Sequence, residues 1–99
     1  MGIPTNLAPT SGGPMPTFTW GPPAGAPATF HYSFDLRNSS CCSDLWQYDP
    51  MPSSRTSLLF NFDGLSQGPL VTGNAYQWSV SATDLNGNRG STGAIYQAQ

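Results

Sequence analysis

Tyr76-Gln77-Trp78-Ser79-Val80-Ser81-Ala82-Thr83-Asp84 is the stretch whose reading decides the fold. Its even positions, Tyr76, Trp78, Val80 and Ala82, are apolar or aromatic. Its odd positions, Gln77, Ser79, Ser81 and Thr83, are small and polar. Successive side chains of a β-strand point to opposite faces, so this alternation predicts a strand with one buried and one wet face. A helix would smear the same residues around its surface. The stretch runs into Asp84-Leu85-Asn86-Gly87-Asn88, and Asn-Gly is a strong hairpin signal because both residues accept positive φ.

Working outward, the same alternation recurs. Thr17 to Trp20 predicts a strand with Phe18 and Trp20 inward. Phe30 to Arg37 predicts a second long strand, with Phe30, Tyr32, Phe34 and Leu36 inward and His31, Ser33, Asp35 and Arg37 outward. Leu45 to Tyr48 reads as a short strand that Asp49-Pro50-Met51-Pro52 terminates. Ser57 to Phe62 reads as another, with Leu58, Phe60 and Phe62 on one face. Ser91 to Gln97 closes the chain, with Ile95 or Tyr96 inward. Turn signals such as Gly21-Pro22-Pro23 and Asp63-Gly64 lie between these runs. About seven short strands with no amphipathic helix predict an all-β protein, an antiparallel β-sandwich. Residues 1–15, with Pro4, Pro9 and Pro14 and the run Ser11-Gly12-Gly13, are expected to form an extended leader before a sandwich spanning 16–99. Ile3 and Leu7 could pin one short edge strand within it, because an edge tolerates proline.

Ninety-nine residues make one domain, and 12% aromatic residues supply a core without staples. Only 8% of residues are charged, against about a quarter in an average domain. There is no Lys and no Glu; the cations are Arg37, Arg55 and Arg89, and the anions are five Asp. A net charge of −2 with scattered Arg argues against nucleic acid, whose binding draws on clustered cations. No run of apolar residues approaches the length of a membrane span, so no membrane insertion is expected. Met1-Gly2-Ile3-Pro4 has neither the basic nor the apolar region of a signal peptide. The weakly charged, Ser/Thr-rich surface is the kind found on secreted and cell-surface modules, and on subunits that pack side by side.

At this point the residues resemble a fibronectin type III module. The resemblance rests on Trp20 before a Pro-containing turn, Tyr32 in the next strand, and Leu70 six places before Tyr76. It continues in Tyr76, Val80 and Ala82 of the following strand, with Trp78 between, and in Gly90-Ser91. Asn61-Phe62-Asp63-Gly64, then Pro69-Leu70, and Asp84 to Asn88 are similar to modules found in tandem in bacterial surface and secreted proteins. The resemblance covers about Pro16 to the C-terminus. It implies an immunoglobulin-like sandwich with Trp20, Tyr32, Leu70, Tyr76 and Trp78 in structural roles. It also implies a non-catalytic extracellular spacer or adhesion module whose partners are proteins or neighbouring copies. The adjacent cysteines and the tract from Leu45 to Arg55 depart from the family's pattern.

Each candidate site has a plainer reading beside it. His31, Ser33 and Asp35 sit two apart on one strand face, so they run parallel instead of converging as a triad must. The five Asp fall mostly beside turns. Asp84-x-Asn86-Gly87-Asn88 is oxygen-rich but lacks a calcium loop's closing Glu. No enzyme activity, metal or cofactor is therefore expected. Cys41 and Cys42, the only cysteines, are a candidate cross-link, either vicinal or between chains, or a pair of free thiols. Asn38-Ser39-Ser40 is a glycosylation sequon. Trp46, Tyr48 and Met51 are the candidate recognition residues. They are packing if their face is the core, and a platform for a polysaccharide or protein partner if it is exposed. Two alternatives to the spacer thus stay open. One is a carbohydrate-binding accessory module using these aromatics. The other is a filament or sheath subunit whose leader adds as a strand to a neighbouring copy.

Overall fold

The computed structural model describes residues 2–39 and 44–99. Among them there is no helix. The strands are β1 (Thr5–Ala8), β2 (Ser11–Gly12), β3 (Thr17–Gly21), β4 (Phe30–Asn38), β5 (Asp44–Pro52), β6 (Ser57–Leu59), β7 (Ala75–Asp84) and β8 (Arg89–Ala98). They form two sheets, one ordered β1-β3-β6 and the other β2-β8-β7-β4-β5. Every pairing is antiparallel except β2 with β8.

β7 is central to the larger sheet because it is the strand most fully paired on both sides. Its register runs unbroken from Asn38↔Tyr76 to Phe30↔Asp84 on β4, and from Ala75↔Gln97 to Thr83↔Arg89 on β8. Tyr76, Trp78, Val80 and Ala82 all face the core, with Trp78, Val80 and Ala82 at 0% exposure. Across the core, β3 contributes Phe18 and Trp20, and β6 contributes Leu58. Phe18 is the hub. Its ring centroid lies 5.1 Å from Phe34, 4.7 Å from Trp78 and 5.6 Å from Tyr96. Offset and edge-on rings at these separations add favourable quadrupole contact to burial. Of the two inward options on β8, Tyr96 is buried and Ile95 is half exposed.

Three elements differ from expectation. The strand expected over 57–62 stops at Leu59, because Asn61 takes a left-handed φ of 55°. Phe60 stays buried, but Phe62 is thrown outward to 43% exposure. β5 continues through Asp49-Pro50-Met51-Pro52, which was expected to end it. It does so as the edge strand, where a missing N–H breaks no ladder, and its register on β4 shifts between Tyr32 and Phe34. Residues 2–15 are extended, but they are built into both sheets. β1 pairs with β3, and β2 runs alongside β8. Pro4 is fully buried and Leu7 packs on the core, whereas Ile3 is half exposed. The Tyr96 hydroxyl donates to Gly13 O at 2.6 Å, Gln97 N to Thr10 O at 2.9 Å and Gln99 N to Gly12 O at 2.7 Å. Gly12 has to be glycine here, since a Cβ would stand 2.9 Å from the Tyr96 hydroxyl oxygen.

Gly2 lies against Ala24, in the connection from β3 to β4. Gln99 lies past the Gln97↔Ala75 pair, at the opposite end of β7 from the Phe30↔Asp84 pair.

Leu70 and Tyr76 meet at the turn that opens β7. The Tyr76 hydroxyl accepts the Val71 backbone N–H at 2.8 Å, and Leu70 is buried beside it. Tyr32 offers a contrast. Its hydroxyl is buried with no hydrogen-bond partner among the described residues. The Trp20 indole is near enough to lower the pKa of that hydroxyl against the larger upward push of burial, but the two groups do not reach hydrogen-bond geometry. Tyr76→Phe should therefore cost about 1 kcal/mol in urea denaturation. Tyr32→Phe should be neutral or stabilising, because it removes a polar atom that burial penalises. Equal losses in the two variants would contradict this assignment of partners.

Candidate functional site

The recognition residues expected from the sequence do not form a surface platform together. Trp46 is 2% exposed and Met51 1%, so both belong to the core. The Trp46 ring meets Phe34 at 5.4 Å and Phe60 at 5.6 Å, and its indole N–H donates to Asp63 Oδ1 at 3.0 Å. That bond ties the loop after β6 over the β5 edge. Gln67 N reinforces it by donating to Leu45 O at 2.8 Å. Tyr48 is half-buried, and the displaced Phe62 ring stands edge-on to it at 4.9 Å. The Arg55 guanidinium lies 5.7 Å from the centre of the Phe62 ring, and its Nε donates to Ser57 O at 2.7 Å. In this way one arginine covers an aromatic ring and caps an edge carbonyl of β6. Phe62 was expected to share a face with Leu58 and Phe60, and its exposure was hidden because only the turn at Asn61 produces it.

Trp20, Tyr32, Leu70, Tyr76 and Trp78 are all buried core residues. Cys41 and Cys42 lie outside the described residues, as does Ser40 of the sequon.

A concavity of about 340 Å³ lies on the outer face of the larger sheet. It arises from register. Ser33, Ser81 and Ser91 align in one row across β4, β7 and β8, and Asp35, Ser79 and Gly93 align in the next. Small side chains in the central rows leave a trough, and longer residues form its rim: Arg37, Gln47, Asp49 and Arg89. Gly93 keeps the floor low, because a Cβ there would stand 3.0 Å from Trp78 O.

The floor is organised by hydrogen bonds. Arg89 Nη2 donates to Ser81 Oγ at 2.9 Å, and the Ser81 and Ser91 hydroxyl oxygens are 2.7 Å apart. The Ser81 oxygen can accept from Arg89 while either serine donates the proton between Ser81 and Ser91, so the three groups form one hydrogen-bonded chain. Ser81 was expected on the wet face but is 4% exposed, lying beneath the arginine. At the other end Arg37 Nη2 pairs with Asp35 Oδ2 at 2.8 Å and reaches Asp44 Oδ1 at 3.6 Å. Asp35 Oδ1 is buried and meets no hydrogen-bond partner among the described residues. A proton on Asp44 would serve Asp35 as a donor, and that interaction holds the exposed Asp44 carboxyl above its usual range.

His31 stands opposite Thr83, in the row before Ser33 and two rows before Asp35. These three side chains are thus arrayed along a strand. Among the described residues no group of three or more His, Cys, Asp or Glu could hold a metal ion. At the hairpin after β7, the Asp84 carboxylate accepts Asn86 N and Asn88 N at 2.9 Å and Asn88 Nδ2 at 3.0 Å. The Asn88 side chain first, then these backbone groups, hold the Asp84 carboxyl below its usual range. This is a turn pinned by its own aspartate.

The sequence placed Ser33, Asp35, Ser79 and Ser81 outward but did not bring them together. Gln47, Asp49, Arg89 and Ser91 were missed. The available signal was that the outward positions at the middle of three strands are mostly small, Ser33, Ser79, Ser81, Ser91 and Gly93, while most of the longer polar residues stand toward the strand ends and the edge. No protein-family model matches the chain, and no curated protein matches it.

Proposed function

We propose that the chain is a non-catalytic module of fibronectin type III kind, serving as a spacer or adhesion unit of a bacterial surface or secreted protein. The strand order of the two sheets supports this reading, as does the tyrosine at the start of β7 that binds back to the chain five residues upstream.

The observation that favours a self-contained module over a strand-exchanging filament subunit is the fate of residues 2–15. Their β1 and β2 strands are paired within the same chain, on β3 and β8, and Tyr96 latches Gly13. A segment whose hydrogen bonds are spent at home must first be peeled away before it can add to a neighbour's edge. Light scattering on the purified protein should give a monomer of 10.5 kDa, with and without reductant. Large assemblies that persist in reductant would replace this reading with the filament, and assemblies that reductant dissolves would assign the junction to the cysteines.

A further inference from the structure

We propose that the trough on the outer face of the larger sheet binds an acidic saccharide, with Arg89 taking the carboxylate of a uronic-acid unit and the serine rows taking its hydroxyls. The proposal rests on reading the chain as a binding module and adds a site and a ligand class to it.

Three features point to this class. The first is charge. Among the described residues Arg37 is ion-paired, to Asp35 and Asp44, whereas no carboxylate lies within 4.0 Å of the Arg89 guanidinium. Arg89 is instead bonded to the neutral Ser81 hydroxyl. That bond holds the planar fork over the sheet and leaves other N–H groups to meet a carboxylate, a geometry arginine matches in bidentate fashion. The second is the lining. Ser33, Ser79 and Ser91 present hydroxyls that both donate and accept, and Asp49 and Gln47 at the rim add an acceptor and an amide. A polyol exchanges its water contacts for such groups without leaving them unpaired. An extended peptide would need a free strand edge or apolar pockets for its side chains, and this floor offers neither. The third is build. Ser81, at the centre of the floor, is a buried polar residue held by hydrogen bonds on two sides, so the Arg89–Ser81–Ser91 chain is organised before any ligand arrives. The volume of about 340 Å³ is at the small end of ligand clefts, which run from about 300 to 1,000 Å³.

The test is a nuclear magnetic resonance titration of the full isotope-labelled chain. One arm uses a short oligogalacturonate, and the other a neutral galactose oligomer of the same length. The acidic oligomer should shift the amides of Ser33, Ser79, Ser81, Arg89 and Ser91, and binding should weaken as salt is raised. Arg89→Gln should weaken it about tenfold or more, as expected for the loss of a charge-assisted bidentate pair. The same variant should leave any weak binding of the neutral oligomer unchanged. Ser79→Leu, which fills the trough while keeping Arg89, should abolish binding; a thermal melt on each variant confirms that the fold is retained. Equal binding of the two oligomers, an Arg89→Gln variant that binds as wild type, or shifts centred on Tyr48 and Phe62 would each overturn the proposal. A monomer that responds to neither oligomer would also end it, while leaving the spacer reading in place.

Discussion

Deleting residues 1–15 should abolish cooperative unfolding or cost about 3–6 kcal/mol, a large share of the roughly 5–15 kcal/mol that holds a domain of this size together. The loss has three parts. Pro4 is fully buried and Leu7 packs on the core, so their removal opens the end of the small sheet to water. β3 loses its β1 partner and is left paired only to the short β6. The Tyr96 hydroxyl loses Gly13 O and turns to water as its cover leaves, which forfeits the net worth of one hydrogen bond, about 0.5–1.5 kcal/mol. Circular dichroism during a urea titration would decide the matter. A truncated chain that kept a sharp transition near the full-length midpoint would mean that the segment decorates the sandwich instead of completing it.

Phe18→Ala should be among the most damaging single substitutions, at about 3–5 kcal/mol. Phe18 is fully buried, and its ring touches Phe34 on β4, Trp78 on β7 and Tyr96 on β8. It therefore joins the small sheet to three strands of the large one. The cavity left by its removal would be walled by rigid rings on backbones fixed by continuous ladders, so it could collapse very little. Leu59→Ala makes the control. Leu59 is on the same small sheet but 41% exposed on its outer side, and its loss should be within about 0.5 kcal/mol in the same titration. Similar effects at the two positions would displace Phe18 from the centre of the core.

What could be read from the sequence follows from how alternation works. Phe18 and Trp20, Tyr32 to Leu36, and Tyr76 to Ala82 declare themselves because both neighbours of each buried residue are small or polar. Alternation needs several residues, so the short pieces β1 and β2 leave no such trace, and the burial of Pro4 depends on contacts far along the chain. Phe62 is a different kind of miss. It keeps the parity of Leu58 and Phe60, but the positive φ of Asn61 breaks the period that parity assumes. The trough was half legible. Parity put Ser33, Asp35, Ser79 and Ser81 outward, but only the register Ser33↔Ser81↔Ser91 makes them neighbours, and register is a property of strand pairs, not of any one strand. Trp46 and Tyr48 share a parity and a face, but Trp46 lies deep under the loop that Asp63 holds down, while Tyr48 stays near the surface.

The parallel course of β2 and β8 has a mechanical consequence. The chain leaves Gly2 at one end of the molecule and Gln99 at the other. If the two ends are pulled apart, β2 is dragged one way along its axis and β8 the other. Their hydrogen bonds are then loaded in shear, all at once, together with the Tyr96 latch on Gly13. An antiparallel terminal pair drawn from one end would peel bond by bond, each yielding to a small force. If the chain works as the proposed spacer, tension along it would therefore meet this shear-loaded seam before its large sheet came apart.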